Sequence, residues 1–285
     1  MPDSAIDPQY EGLLETALQN CAAERIHEIG TIQPAGVLLA VDQDLHVRMA
    51  SDNLAGLFGI AAGDALGRAL AELVGAAQAE TIRTFAAQES WSGSQICSIS
   101  LDRDGADTRF DARLVHSDGL LVIEIENQPS GTEDAFHLQF VPIRDSLWKL
   151  DAEQDMQRYS QAVVDEVRLL SGYDRVMMYR FDYNWDGEVI AESRIDGALS
   201  YLGNHFPASD IPAQARELYT RNLVRLISDV DGESIPVLGD TPAAKPLDLS
   251  QSWLRSMSPV HVQYLRNMGV QASLSISLVQ NNRLW

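Results

Sequence analysis

Arg225 and Arg255 each stand among apolar neighbours, in LVRLIS and WLRSMS, within a chain that carries 21 basic against 41 acidic residues. A guanidinium in such surroundings calls for a carboxylate or a phosphate, which its planar fork matches in geometry. An internal Asp or Glu would satisfy either one equally well. Ser258, Ser273 and Ser275 could give hydroxyl donors to the same anion, although Ser273 and Ser275, alternating in ASLSISLV, equally suit small positions beside packed helices. Ser258-Pro259 is a cap followed by a first-turn proline, and it opens a helix on which His261, Tyr264 and Met268 fall at i, i+3 and i+7. His and Tyr on one face fit a ligand wall, or a half-buried helix whose polar tips find local partners. Pro212 opens a second helix, AQARELYTRNL, with Tyr219 near one face and Asp210 in the turn before it.

Other chemistries are pruned by count and charge. Cys21 and Cys97 are the only cysteines, so there is no disulfide framework, and no C-x-x-C or clustered Cys/His spacing suggests a metal. Cys97 alternates with Ile99 and Leu101 as a small core residue would, whereas Cys21 lies outside any periodic segment, as an accessible nucleophile or an incidental surface thiol. An enzyme using Cys21 as nucleophile and His261 as base lacks an orienting acid and an oxyanion-hole motif, so the chain is expected not to be an enzyme. A net charge of -20 opposes nucleic acid and anionic membrane surfaces as partners. Apolar runs such as Gly36 to Val41 fall far short of the ~20 residues a membrane span needs. The N-terminus MPDSAIDPQYEG lacks a signal-peptide pattern, which points to the cytoplasm.

The elements that must position these residues read as two α+β domains, as expected for 285 residues. An acidic arm leads to a hairpin of GVLLAVD and HVRMAS, two short helices near DNLAGLFGI and RALAELVGAA, and a meander of QICSISLD, DTRFDARLVHS and LLVIEIEN. NQPSGT (127–132) is the linker candidate. Beyond it, DAEQDMQRYSQAVVDEVRLLS places Met156, Tyr159, Val163, Val167 and Leu170 on one helical face, before a hairpin of DRVMMYRF and EVIAESR that turns at Asp186-Gly187. The stretch 228–252 is too long and too rich in Pro, Gly and Asp for an ordinary connection.

Three segments, FPASDIPAQARELYTRNLVRLI (206–227), LDLSQSWLRSMSPVHVQYLRNMGVQASLSISLV (247–279) and NCAAERIHEIGTIQPAG (20–36), resemble the bacteriophytochromes, and the likeness spans nearly the whole chain. The resemblance implies an arm and PAS domain over 1–128 and a GAF domain over 129–285. Each would be an antiparallel sheet with flanking helices, the arm knotted through a GAF lasso at 228–252 with Ile32 near the crossing. It implies a red/far-red photoreceptor that binds biliverdin through a thioether to Cys21. Val260 stands where users of reduced bilins carry cysteine.

Residue by residue, it implies that Tyr219, Arg225, Arg255, Ser258, Ser273 and Ser275 hold the propionates. Asp210, in a turn with Ile211 and Pro212, would face the pyrrole N–H groups, His261 would bond near the centre of the chromophore, and Tyr179, Phe206 and Tyr264 would surround its D ring. Glu28-Ile29 stands in place of the usual Ile-Pro and Ala35 in place of a His. The family's next strand has no counterpart before Trp285, so the GAF domain is expected to be incomplete, and to fold poorly without that strand. The partners implied are PHY and output domains and a second copy of the chain. A binding module for a cyclic nucleotide or haem is the alternative on the same scaffold.

Overall fold

The apolar run GVLLAV forms a strand buried along its whole length, because both of its faces are covered. The computed structural model describes residues 24–88, 93–103, 105–128, 133–241 and 245–285. In chain order its first strands are β1 (Thr31–Ile32), β2 (Gly36–Val41), β3 (Val47–Ser51), β4 (Gln95–Arg103), β5 (Ala106–Ser117) and β6 (Leu120–Glu126). They are followed by β7 (Arg175–Phe181), β8 (Gly187–Arg194), β9 (His205–Phe206), β10 (Val224–Ile227), β11 (Ile235–Gly239) and β12 (Ser273–Ile276). The chain divides into two compact units, one taking the residues before the linker together with Ala213–Asn282, the other Gly131–Pro212 with Arg283–Trp285.

The first unit is built on an antiparallel sheet in the order β1-β11-β3-β2-β6-β5-β4. Val37, Leu39 and Val41 of β2 join Phe110, Leu114, Ile123 and Ile125 under the short helices that supply Leu54, Ala62, Leu70 and Ile82. The alternate residues Leu38 and Ala40, with Val115 and Val122, face Ile32, Leu247, Leu249 and Leu254 on the opposite side. Period-two alternation thus feeds two cores from one strand. The hairpin, short helices and meander expected from the sequence are all present, and Cys97 lies in the first core at 2% exposure.

The long 228–252 stretch is not irregular throughout, since it contributes β11 to this sheet. Thr31 and Ile32 pair with Pro236 and Ile235 on one side. On the other, the N–H of Gln33 donates to Leu254 O at 2.6 Å and that of Ser256 to Thr31 O at 3.1 Å. The arm therefore runs between β11 of this stretch and the 254–256 segment that follows it, with Ile32 fully buried, an arrangement that fits the expected threading. The same unit holds the antiparallel pair β10-β12 and the helix Pro259–Asn267, whose Leu265 packs on Ile227 and Val230.

The second unit is the antiparallel sheet β7-β8-β9 with the helix Met156–Ser171 against it, joined through Val164, Met178 and Ala191. A preceding helix, Glu133–Asp151, has no clear signal in the sequence. Of the face expected from Met156, Tyr159, Val163, Val167 and Leu170, Val163 packs against this core and Val167 is half-buried, whereas Met156 is 63% and Leu170 42% exposed; the buried side chains are Ser160 and Val164. Apolar spacing locates this helix and part of its packed side.

Candidate functional site

Arg225 leaves β10 with Ser275 opposite it in register, and Ser273 stands opposite Ile227. Cross-strand partners share a face, so the guanidinium and both hydroxyls rise from one side of the two-stranded sheet. Arg225 is 8% exposed and is held by main-chain carbonyls. Its Nη1 donates to Trp253 O at 3.3 Å, and its Nη2 donates to Ser256 O at 3.1 Å and to Arg255 O.

Arg255 is equally buried, and its Nη1 donates to Ile26 O at 2.9 Å. Among the described residues its Nε has no hydrogen-bond partner, and neither has the buried Oγ of Ser256 beside it. Neither guanidinium forms an ion pair with a carboxylate among the described residues. Burial, and then the Arg255 cation, press the Arg225 guanidinium down to about 9, and burial also lowers Arg255. Two cations are therefore buried near one another with carbonyl dipoles but no ion-paired carboxylate among the described residues, the charges of Glu124 and Asp248 acting on them without an ion pair; such burial costs several kcal/mol per ion by desolvation and favours an anionic ligand.

Side chains on the two helices of this unit complete the surroundings. Tyr219, half-buried on the helix Ala213–Arg221, lies close enough to act electrostatically on both guanidiniums. Ser258 caps the helix Pro259–Asn267, its Oγ accepting the His261 N–H at 3.3 Å while its own O–H remains a donor. The His261 ring stacks on Tyr264 with centroids 6.2 Å apart. Burial first, then Arg225 and Arg255, hold its imidazole below the ordinary value, so it is neutral near pH 7.

The arm reaches the same carbonyls. Gln33 Nε2 donates to Leu226 O at 2.9 Å and lies 3.3 Å from both Trp253 O and Arg255 O, while its Oε1 accepts the Ser228 N–H at 3.1 Å. One amide thus ties β10 to the 253–255 segment.

In the second unit, Tyr179, Phe181 and Phe206 form an aromatic group, with the Tyr179 ring 5.1 Å from Phe181 and 6.1 Å from Phe206. Gly187 makes room for it: a Cβ there would fall 1.7 Å from Tyr179 Cζ, so no other residue tolerates this ring position. Tyr201 meets Phe206 edge-on at 6.3 Å. Its N–H donates to the buried carboxylate of Glu192, and Arg175 lies 4.2 Å over its ring. The turn carrying Asp210, Ile211 and Pro212 is tied to the β7-β8 hairpin, because the Ala208 N–H donates to Asp186 Oδ1 at 2.9 Å. Burial raises the Asp210 carboxyl above its ordinary value.

The structure thus brings Arg225, Arg255, Tyr219, His261 and the serines together in one unit, and Tyr179, Phe206 and Asp210 into the other. Cys21 lies outside the described residues. Burial pushes the Cys97 thiol up to about 11, which leaves it unreactive at neutral pH. Gln33, Ser256 and the carbonyls of 253–256 were not legible as site groups, since no local pattern links position 33 to them. Gly187 was read only as turn chemistry. Among the described residues no group of three His, Cys, Asp or Glu could hold a metal ion, and no helix is long and apolar enough to cross a membrane.

Residues 21–128 match the PAS fold family and residues 155–285 the GAF domain family. The structure of the wild-type chromophore-binding domain of a Stigmatella aurantiaca phytochrome superposes with a TM-score of 0.83 at 42% identity, covering 93% of this chain and 88% of that one. A bacteriophytochrome of Pseudomonas aeruginosa is 40% identical over 278 residues, 94% of this chain and 36% of its own length. Cyanobacterial phytochrome B of Nostoc sp. is 38% identical over 271 residues, again 94% and 36%. The chain spans about a third of the length of the curated relatives it matches.

Proposed function

The chain belongs to the bacteriophytochromes, and on that premise we propose that it is a photosensory PAS-GAF module which binds biliverdin covalently through Cys21 and responds to red and far-red light. The observation that carries the reading is the pair of buried guanidiniums, Arg225 and Arg255, without a carboxylate partner among the described residues. A bilin brings two propionates, which supply the missing negative charge in the planar form that guanidinium groups match. The orphaned Arg255 Nε and Ser256 Oγ are donors free for those oxygens. Ser273, Ser275 and the Ser258 hydroxyl offer more on the same chemistry.

The remaining assignments follow the family likeness. Asp210 faces the pyrrole N–H groups, neutral His261 serves as a hydrogen-bond partner near the centre, and Tyr179, Phe206 and Tyr264 surround the D ring. The bilin, when bound, supplies light absorption and rotation about a D-ring double bond; the side chains bind, orient and exclude water. The division into a PAS domain over 1–128 and a GAF domain over 129–285, a cytoplasmic location, the absence of catalysis, pairing with a second copy and signalling through PHY and output domains belong to the same reading.

An absorption spectrum of the 285-residue chain with biliverdin, taken before and after red illumination, tests it. The expected result is a bound-pigment band in the red that changes under light. A cyclic nucleotide or haem module would take up no biliverdin and show no light-dependent band.

A further inference from the structure

Glu124 is a carboxylate at 3% exposure on β6, in the PAS sheet, and all three groups that satisfy it come from one stretch of chain more than a hundred residues away. Its Oε1 accepts the Leu254 N–H at 3.0 Å and the Ser252 hydroxyl, and its Oε2 accepts the Trp253 N–H at 3.0 Å. Cross-strand from it, Arg113 lies 4.7 Å over the Trp253 ring. The 252–256 segment belongs to no helix or strand, so its course is set by a single internal side-chain bond and by what it meets on either side: the arm residues Thr31–Gln33 and, on the sheet, Glu124. Burying a carboxylate costs several kcal/mol unless donors surround it, and a carboxylate so satisfied holds those donors firmly in return.

The other side of this segment carries the arginine site. Trp253, Arg255 and Ser256 turn their carbonyls onto the Arg225 guanidinium. The Ser252 Oγ that bonds Glu124 also accepts the Arg255 N–H at 2.9 Å, which links the carboxylate to the backbone from which Arg255 projects. We propose that Glu124 is the positioning residue of the anion site: by templating the 252–255 turn from the PAS sheet, it holds Arg225 and Arg255 where they read a ligand's carboxylates. The negative charge of Glu124 also acts on both Arg225 and Arg113. The inference rests on the reading of those arginines as propionate partners, and it gives the PAS domain a direct part in ligand recognition.

The test compares biliverdin with its dimethyl ester, which lacks both carboxylates, by reversible binding in a Cys21→Ser background. Charge-assisted bonds lost to the ester make the unsubstituted site prefer the free acid. In Glu124→Gln, one oxygen becomes an N–H donor facing the Trp253 N–H, the turn loosens, and the preference is expected to fall about tenfold, equivalent to misplacing one such bond. A merely structural loss would weaken both pigments in parallel and leave their ratio unchanged, which would overturn the proposal.

Should Glu124→Gln fail to fold, Ser252→Ala decides. It keeps the carboxylate and its two backbone bonds but cuts the link to Arg255, and it should lower the ratio several-fold, again with an unchanged ratio counting against the role. If the unsubstituted protein binds neither pigment, the bilin reading itself fails and this inference falls with it.

Discussion

The guanidinium of Arg225 donates to the backbone carbonyl of Arg255, so one buried arginine is oriented by the main chain of the other. The two are nonetheless different in kind. Among the described residues Arg225 bonds three carbonyls of a single segment, whereas the Arg255 guanidinium bonds only Ile26 O and keeps an unpartnered Nε. Arg225 is thus fastened to the 253–256 segment, while Arg255 keeps a donor that the proposed propionate would take.

Substitution should separate these roles. Arg225→Met takes a donor from three carbonyls, leaving Trp253 O and Arg255 O to the Gln33 amide at 3.3 Å and Ser256 O without its side-chain partner, and is expected to cost roughly 2 kcal/mol of stability without pigment. Arg255→Met removes one hydrogen bond and one of two neighbouring buried cations, so stability without pigment should stay within about 1 kcal/mol. Biliverdin affinity should fall by roughly 10- to 100-fold in Arg255→Met, as for loss of a charge-assisted bond. Thermal melts paired with titrations measure both. Equal losses of stability in the two variants would contradict the division.

Gly187 is expected to control the aromatic group. In Gly187→Ala the new methyl occupies the space of the Tyr179 ring, which must swing away from its place beside Phe206. Such overpacking costs about 1–3 kcal/mol. Pigment should still be taken up, while the absorption band and the photoconversion yield change. Wild-type photochemistry in the alanine variant would remove Tyr179 from the chromophore's surroundings.

The proposed thioether has one candidate thiol. Cys97 is 2% exposed with its thiol pushed up to about 11, so the thiolate needed for attack is scarce and shielded. Cys21→Ser should abolish the covalent pigment mass while leaving weaker, reversible binding, and Cys97→Ala should retain it. Peptide mapping of the adduct settles the matter, and an adduct on Cys97 would count against the assignment.

How much of this was legible in the sequence differs by range. Strands with period-two alternation, such as β5 and β6, and helices with proline starts, such as Pro259–Asn267, carry local signals and were found. The meaning of Arg225 and Arg255 was half legible, because apolar flanks show that a cation is buried but not which carbonyls it meets. Glu124 and Gln33 were invisible, since their partners are 128 and 195 residues away and long-range hydrogen bonds leave no local period. The packed side of the helix Met156–Ser171 is only partly legible, because its apolar stripe is wider than the contact it makes: Val163 packs inward while Met156 and Leu170 remain exposed.

The last prediction concerns pH. His261 is held below its ordinary value by burial first and then by Arg225 and Arg255, while in the unfolded chain the ordinary value of about 6.5 returns. Below that value the unfolded chain binds a proton that the folded chain refuses. Stability contributed by the neutral imidazole is therefore present above about pH 6.5 and declines as pH falls toward the folded value, with a limiting slope of about 1.4 kcal/mol per pH unit. Asp210, raised by burial, contributes with the opposite sign as pH falls through its folded value. Melting curves of the pigment-free protein from pH 7.5 downward should therefore show a decline that His261→Gln flattens. Bound biliverdin should flatten it too, because its carboxylates offset the two cations that help keep the imidazole neutral. Parallel curves for the unsubstituted protein and His261→Gln would mean that the imidazole accepts its proton freely in the fold, and that Arg225 and Arg255 do not act on it.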